Sequence, residues 1–260
     1  MSLVITHSCG FFSCCSVRLC KIINYFNVNK KLPDNIDSSQ QYQMYKYSNK
    51  DITFDFFKHY SNDNIINYEN NITIDDNCFQ FDNYKTINFK EILPFVKKYF
   101  EPSERITSIY NNLIVKYNIN TDNCIGLYYR GTDKKDETTL DTFDSFYYKL
   151  NEIIITSNND KIQILIQTDS AYFLEYMKEK CKDKHIIIIT ELAVSKLDRG
   201  IHYDRCPSLN YIEIQSFMAT LLILSKCKYL ICSSGNCSIW TLFFRENTDN
   251  VYQSLNRTWL

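Results

Sequence analysis

The chain has 260 residues, of which 45% are apolar and 23% charged, with a formal net charge of -1. That length and apolar content can bury a sizeable core and suggest one large or two small domains. The balanced charge supplies no global field for nucleic acid or an anionic membrane. No apolar run reaches the roughly 18 to 20 residues that span a bilayer, because Lys226 and Lys228 interrupt the best candidate, 217–232.

Residues 3–6 read as a strand, 8–10 as a turn and 13–26 as a helix, in which Cys15, Leu19, Ile22 and Phe26 recur at helical spacing. These form the opening strand and helix of a Rossmann-like unit. Residues 27–88 are rich in Asn, Asp, Ser and Tyr, with short β-like runs such as 52–57 and no helical period until 89–99. We assign 1–110 to a reduced, irregular first domain and 111–260 to a second, with Pro102 near the boundary. From Cys124 the alternation is clean: a strand to Tyr129, a helix over 140–155, a strand over 162–167, a helix over 171–181 and a strand over 186–190. A helix over 212–225, a strand over 229–232 and a final helix from Ser238 complete the run. Strands alternating with helices of about 10 to 15 residues imply an α/β fold with a doubly wound parallel sheet. Apolar runs such as 186–189 suit strands covered on both faces.

The 11 cysteines read as free thiols, since Cys124, Cys227 and Cys232 lie within apolar helix or strand patterns. The group Cys9, Cys14, Cys15 and Cys20 lacks the paired spacing of a zinc site, and His59, His185 and His202 form no metal-binding pattern. Neither a metal nor a cofactor is implied. The N-terminus lacks the basic start and long apolar core of a secretory signal, so a soluble, cytoplasmic protein is expected.

The most informative stretch is 124–134, an apolar strand that runs directly into Arg130-Gly131-Thr132-Asp133-Lys134. An open α/β sheet delivers charged groups to a ligand at the carboxyl ends of its strands in this way. Glycine is scarce, with 5 in the whole chain, so Gly131 beside Arg130 runs against background usage. The guanidinium offers a planar fork of donors that matches phosphate oxygens; the alternative is a structural ion pair with Asp133 or Asp136. Thr168 and Asp169 end the middle strand, and Asp169 reads either as a ligand contact or as a cap for the next helix. Ser233, Ser234, Gly235 and Asn236 link a strand to a helix and read either as a phosphate cradle or as an ordinary N-cap.

These motifs, in this order and spacing, resemble the fucosyltransferase superfamily with a GT-B fold, which includes the core α1,6-, the nodulation-factor and the protein O-fucosyltransferases. The resemblance rests on the Arg-x-Thr-Asp-Lys turn at 130–134, the Thr-Asp strand end at 168–169 and the Ser-rich turn at 233–236, and covers roughly 115–245. It implies two Rossmann-like halves, an acceptor-side first domain and a nucleotide-sugar donor domain after it. The implied reaction is inverting, metal-independent fucosyl transfer from GDP-fucose to a glycan or glycoprotein. In that reading Arg130, Asp133, Tyr128, Thr168, Asp169, Ser233, Ser234, Gly235 and Asn236 hold the donor. Glu137 stands where the resemblance expects a base, with Lys134 beside it to keep a carboxylate ionised; otherwise it is a solvated loop residue. His7 and Gly10 occupy the place of the family's first cleft-facing loop, with a local hydrogen-bonding role as the alternative for His7. Tyr128 replaces a histidine the family often has, and Thr220 aligns with a family acid whose nearest substitute, Glu213, lies almost two turns upstream. Those departures keep open a catalytically inactive module that binds a nucleotide or sugar.

Overall fold

The computed structural model describes residues 2–60, 71–74, 78–134, 137–159, 161–197 and 199–260. Strand β1 (Ser2–His7) leads through helix α1 (Phe11–Asn29) to β2 (Asn35–Gln41), and the two strands pair in parallel. The composition of β2, NIDSSQQ, hides it from an apolar-alternation reading. Its inward residues are Ile36, Ser38 and Gln41, and the polar two bond to α1: Ser38 Oγ accepts from Arg18, and Gln41 donates to the Cys14 carbonyl.

The expected β-like run at 52–57 is instead a short helix, α2 (Thr53–Phe56). Asp51 explains the difference, because its carboxylate accepts from the Thr53 amide at 2.8 Å and starts a helical turn. Helix α3 (Phe89–Tyr99) follows as expected. Helix α4 (Glu104–Lys116), capped by Ser103, was not expected: only Ile106 and Leu113 are buried, too few to print a clear stripe.

The second half alternates as the sequence indicates: β3 (Cys124–Tyr129), α5 (Phe143–Ser157), β4 (Gln163–Thr168), α6 (Ala171–Lys180), β5 (Ile186–Ile188), α7 (Pro207–Lys226), β6 (Tyr229–Ser233) and α8 (Asn236–Arg245). Two further strands, β7 (Val251–Leu255) and β8 (Thr258–Trp259), close the sheet. Their two-residue turn has positive φ at both Asn256 and Arg257, the hairpin geometry that matches strand twist. The six-stranded sheet runs β5-β4-β3-β6-β7-β8 and is parallel except for β8. The chain winds outward one way from β3 and the other way from β6. Their junction is therefore the topological switch point, where open α/β sheets bind ligands.

Alternate residues of β3 feed two cores. Ile125, Leu127 and Tyr129 pack with Phe146, Leu150 and Phe173 from α5 and α6. On the other face, Cys124 and Tyr128 join a larger cluster that runs from Ile5 to Val251 and includes Phe11, Phe57, Leu224 and Trp240. Helix α7 crosses that cluster in contact with α4, α8 and β3, and its burial on most sides accounts for its weak sequence periodicity. It comes so close to β3 that a β-carbon on Gly126 would lie 2.8 Å from Leu224 Cδ2. None of the 11 cysteines is in a disulfide, and Cys14, Cys15 and Cys20 are buried in α1. Among the described residues, no helix is long and apolar enough to cross a membrane.

Candidate active site

A cavity of about 390 Å³ opens at the switch point. Its walls come from the carboxyl ends of β3, β4 and β6, from the turn before α1, and from the segment leading into α7. Arg130, Asp133, Lys134, Glu137 and Asp169 all line it, together with Tyr128, Gly10, Ser234, Gly235 and Asn236. The three strand-end motifs that the sequence singled out thus converge on one volume.

Arg130 is held in place by two carboxylates. Its Nη2 lies 2.8 and 2.9 Å from the two oxygens of Asp133, and its Nε lies 3.0 Å from Asp169 Oδ2. Burial opposes its charge, but Asp169 and Asp133 hold the guanidinium pKa well above its usual value. Burial alone would raise the Asp133 carboxyl, yet Arg130 keeps it below the usual range. The ion-pair alternative raised for Arg130 is therefore present with Asp133, and with Asp169 as a second partner. Asp136 lies outside the described residues.

Asp169 does not cap α6. Ser170 does, accepting from the Phe173 amide, while Thr168 Oγ1 accepts from the Ser170 amide and lies outside the cavity lining. Freed of that duty, the Asp169 carboxylate shapes the turn after β3: it accepts from the Gly131 amide at 2.9 Å and from Thr132 Oγ1 at 2.7 Å.

The turn at 233–236 has a comparable division of labour. Ser233 Oγ accepts from the Arg130 amide at 3.0 Å, and Ser234 Oγ donates to the Ser254 carbonyl at 2.8 Å. Neither serine nor Asn236 caps α8; Gly235 takes the N-cap position without a side-chain bond. Its φ of 152° suits glycine, and its amide donates to the buried Tyr84 hydroxyl at 2.9 Å. Asn236 accepts from Ser16 Oγ at 2.7 Å and donates to Gln80, tying α8 to both α1 and the 78–80 turn. Arg130 Nη1 stands 3.7 Å from Cys237 Sγ in the first turn of α8, so the guanidinium and an uncapped helix start face the same space.

Glu137 Oε2 accepts from both Lys134 Nζ and Gln80 Nε2, and is not merely a solvated loop residue. Tyr128 is buried, and burial pushes its phenol well above the usual range. His7 hydrogen-bonds to Ser13 Oγ at 2.9 Å and stays outside the cavity lining, which favours its local role. Thr220 is also away from the cleft, bonded to the Ser216 carbonyl. Glu213 lines the cleft instead, paired with Arg205 and accepting from the Ala193 amide. The two lie almost two turns apart on nearly the same face of α7, so position along the helix axis decides which of them reaches the ligand space.

Neither protein-family models nor curated proteins match the chain. Solved structures do. The NodZ α1,6-fucosyltransferase soaked with GDP-fucose superposes over 100% of this chain and 98% of its own, with a TM-score of 0.59 at 11% identity. NodZ co-crystallised with GDP superposes over 97% and 94%, with a TM-score of 0.58 at 12% identity. The chain has the GT-B fold of the fucosyltransferases.

Within this GT-B cleft, the lining residues that escaped the sequence reading include Gln80, Tyr45, Phe217 and, as a site residue, His202. Gln80 and Tyr45 come from the stretch without periodicity, where no neighbouring pattern marks a polar or aromatic side chain as inward-facing. Phe217 was legible only as part of an apolar helix. His202 lies in a short helical turn at 201–204, and a lone histidine gave no signal beyond its identity.

Proposed function

We propose that this protein is a glycosyltransferase that takes its sugar from a nucleoside-diphosphate donor, with GDP-fucose the first candidate, and passes it to a hydroxyl of a glycan or glycoprotein. The observation that carries this reading is the meeting of Arg130 with the uncapped first turn of α8 at the switch point of a GT-B sheet. A departing diphosphate needs positive charge and donors aimed at its oxygens, and both are assembled there before any ligand arrives. The donor's diphosphate would exchange with Asp133 at the Arg130 fork, while Asp169 keeps Nε and so preserves the orientation of the guanidinium. Lys134, buried at the same turn, supplies a second cation on the leaving-group side. The NodZ structures that superpose on the whole chain were obtained with GDP and GDP-fucose, which supports the choice of donor. Displacement in line, with inversion and without a metal, is part of the same proposal.

A specific observation favours a second reading, a binding module without turnover. The polar groups that chemistry would use are already engaged, Arg130 with two aspartates and Glu137 with Lys134 and Gln80. Labelled GDP-fucose incubated with a panel of glycan acceptors separates the two. The transferase reading expects acceptor-dependent release of GDP with label on the acceptor. Tight nucleotide binding with no turnover, across GDP-fucose and other nucleotide sugars, would establish the binding module instead.

A further inference from the structure

We propose that His202 is the proton acceptor for the attacking hydroxyl in the transfer reaction, an assignment that rests on the transferase reading above. In the described structure, its Nε2 is buried without a hydrogen-bond partner, although the ring lines the cleft. A buried polar atom without a partner calls for a specific explanation, and a catalytic role at a cleft is one. The backbone holds the ring in place: the His202 carbonyl accepts from Asn210 Nδ2 at 2.8 Å, and Tyr203 packs on the ring at a centroid distance of 4.4 Å. Across the cleft, a β-carbon on Gly10 would stand 3.7 Å from His202 Cε1, so the imidazole sits where the first half's loop meets the second half. Glu137 is the competing base, but the oxygen it would use already accepts from Lys134 and Gln80.

The charged groups around the ring favour the role. Arg130, Asp133 and Asp169 face it from the ends of β3 and β4; Glu213 lines the same cavity from α7, paired with Arg205; Arg199 and Asp204 pair with each other at its own turn. Burial first, and Arg130 after it, hold the imidazole down at about 4, so it is neutral and able to accept at neutral pH. A diphosphate on Arg130 would cancel that repulsion and add negative charge, so donor binding itself would make the imidazole more basic. In the step, the hydroxyl oxygen bonds to the anomeric carbon while the bond from that carbon to the β-phosphate oxygen breaks. The electron pair leaves with the nucleoside diphosphate, and the hydroxyl proton moves to Nε2 and then to solvent.

The test compares wild type, His202→Asn, His202→Ala and Glu137→Gln for GDP affinity, transfer to acceptor and the pH profile of kcat/KM. The expected result is that His202→Asn keeps GDP binding and loses transfer by about 10² to 10⁴-fold. It should also lose the acid limb of the pH profile, while Glu137→Gln changes transfer far less. Added imidazole should restore part of the transfer in His202→Ala, a rescue that a purely structural role would not give. Transfer retained in His202→Asn, or abolished in Glu137→Gln with the acid limb of His202→Asn intact, overturns the assignment alone. No transfer by the wild type overturns both this assignment and the transferase reading.

Discussion

At the scale of single residues, the site is built from groups that serve the fold and face the cleft together. Asp169 shows this best, because one carboxylate fixes the Gly131 amide, the Thr132 hydroxyl and the Arg130 guanidinium. The sequence places Asp169 at a strand end but does not disclose that Ser170 relieves it of capping α6. His202 carries a consequence for stability. Its folded pKa of about 4 lies below the unfolded value of 6.5, so between those values the unfolded chain binds a proton that the folded chain does not. Stability is therefore full above about pH 6.5 and falls as the pH drops through that window. Urea midpoints at pH 7 and pH 5 should differ less in His202→Asn than in wild type, with a residual slope from His7, whose pKa is also lowered by burial. An identical pH slope in the variant would show that His202 titrates normally in the folded protein.

At the scale of elements, what was legible depended on how each segment buries itself. Strands β3, β4 and β6 are apolar runs covered on both faces, and their limits were readable to within a residue or two. Strand β2 was not, since Ser38 and Gln41 face inward and are satisfied by α1. Helix α2 departs from the expected β-like run because Asp51, outside the apolar run, determines its conformation. The contact between α7 and β3 depends on a missing side chain. Gly126→Ala should lower stability by about 1 to 3 kcal/mol, the usual cost of overpacking a core, because the new methyl meets Leu224 at 2.8 Å and Cys227 at 3.4 Å. Thermal unfolding measures this directly, and an unchanged midpoint would mean that α7 shifts without cost.

At the scale of the molecule, the parallel sheet, its cleft and the first loop at Gly10 were foreseeable, while the contribution of Gln80 and Tyr84 was not. Gln80 and Tyr84 reach the α8 turn from 151 to 156 residues away in sequence, and no local pattern announces such a contact. The central claim is that this cleft binds a nucleoside diphosphate through Arg130. Calorimetric titration with GDP of wild type, Arg130→Ala and Arg130→Lys tests it most directly, with circular dichroism confirming that each variant is folded. The expected result is clear binding by wild type and a loss of about 1.5 to 3 kcal/mol in Arg130→Ala, the usual worth of a hydrogen bond to a charged group. Arg130→Lys should recover only part, since a point charge cannot reproduce the two-pronged fork. Equal GDP affinity in wild type and Arg130→Ala would contradict the claim and leave Arg130 as a structural partner of Asp133 and Asp169.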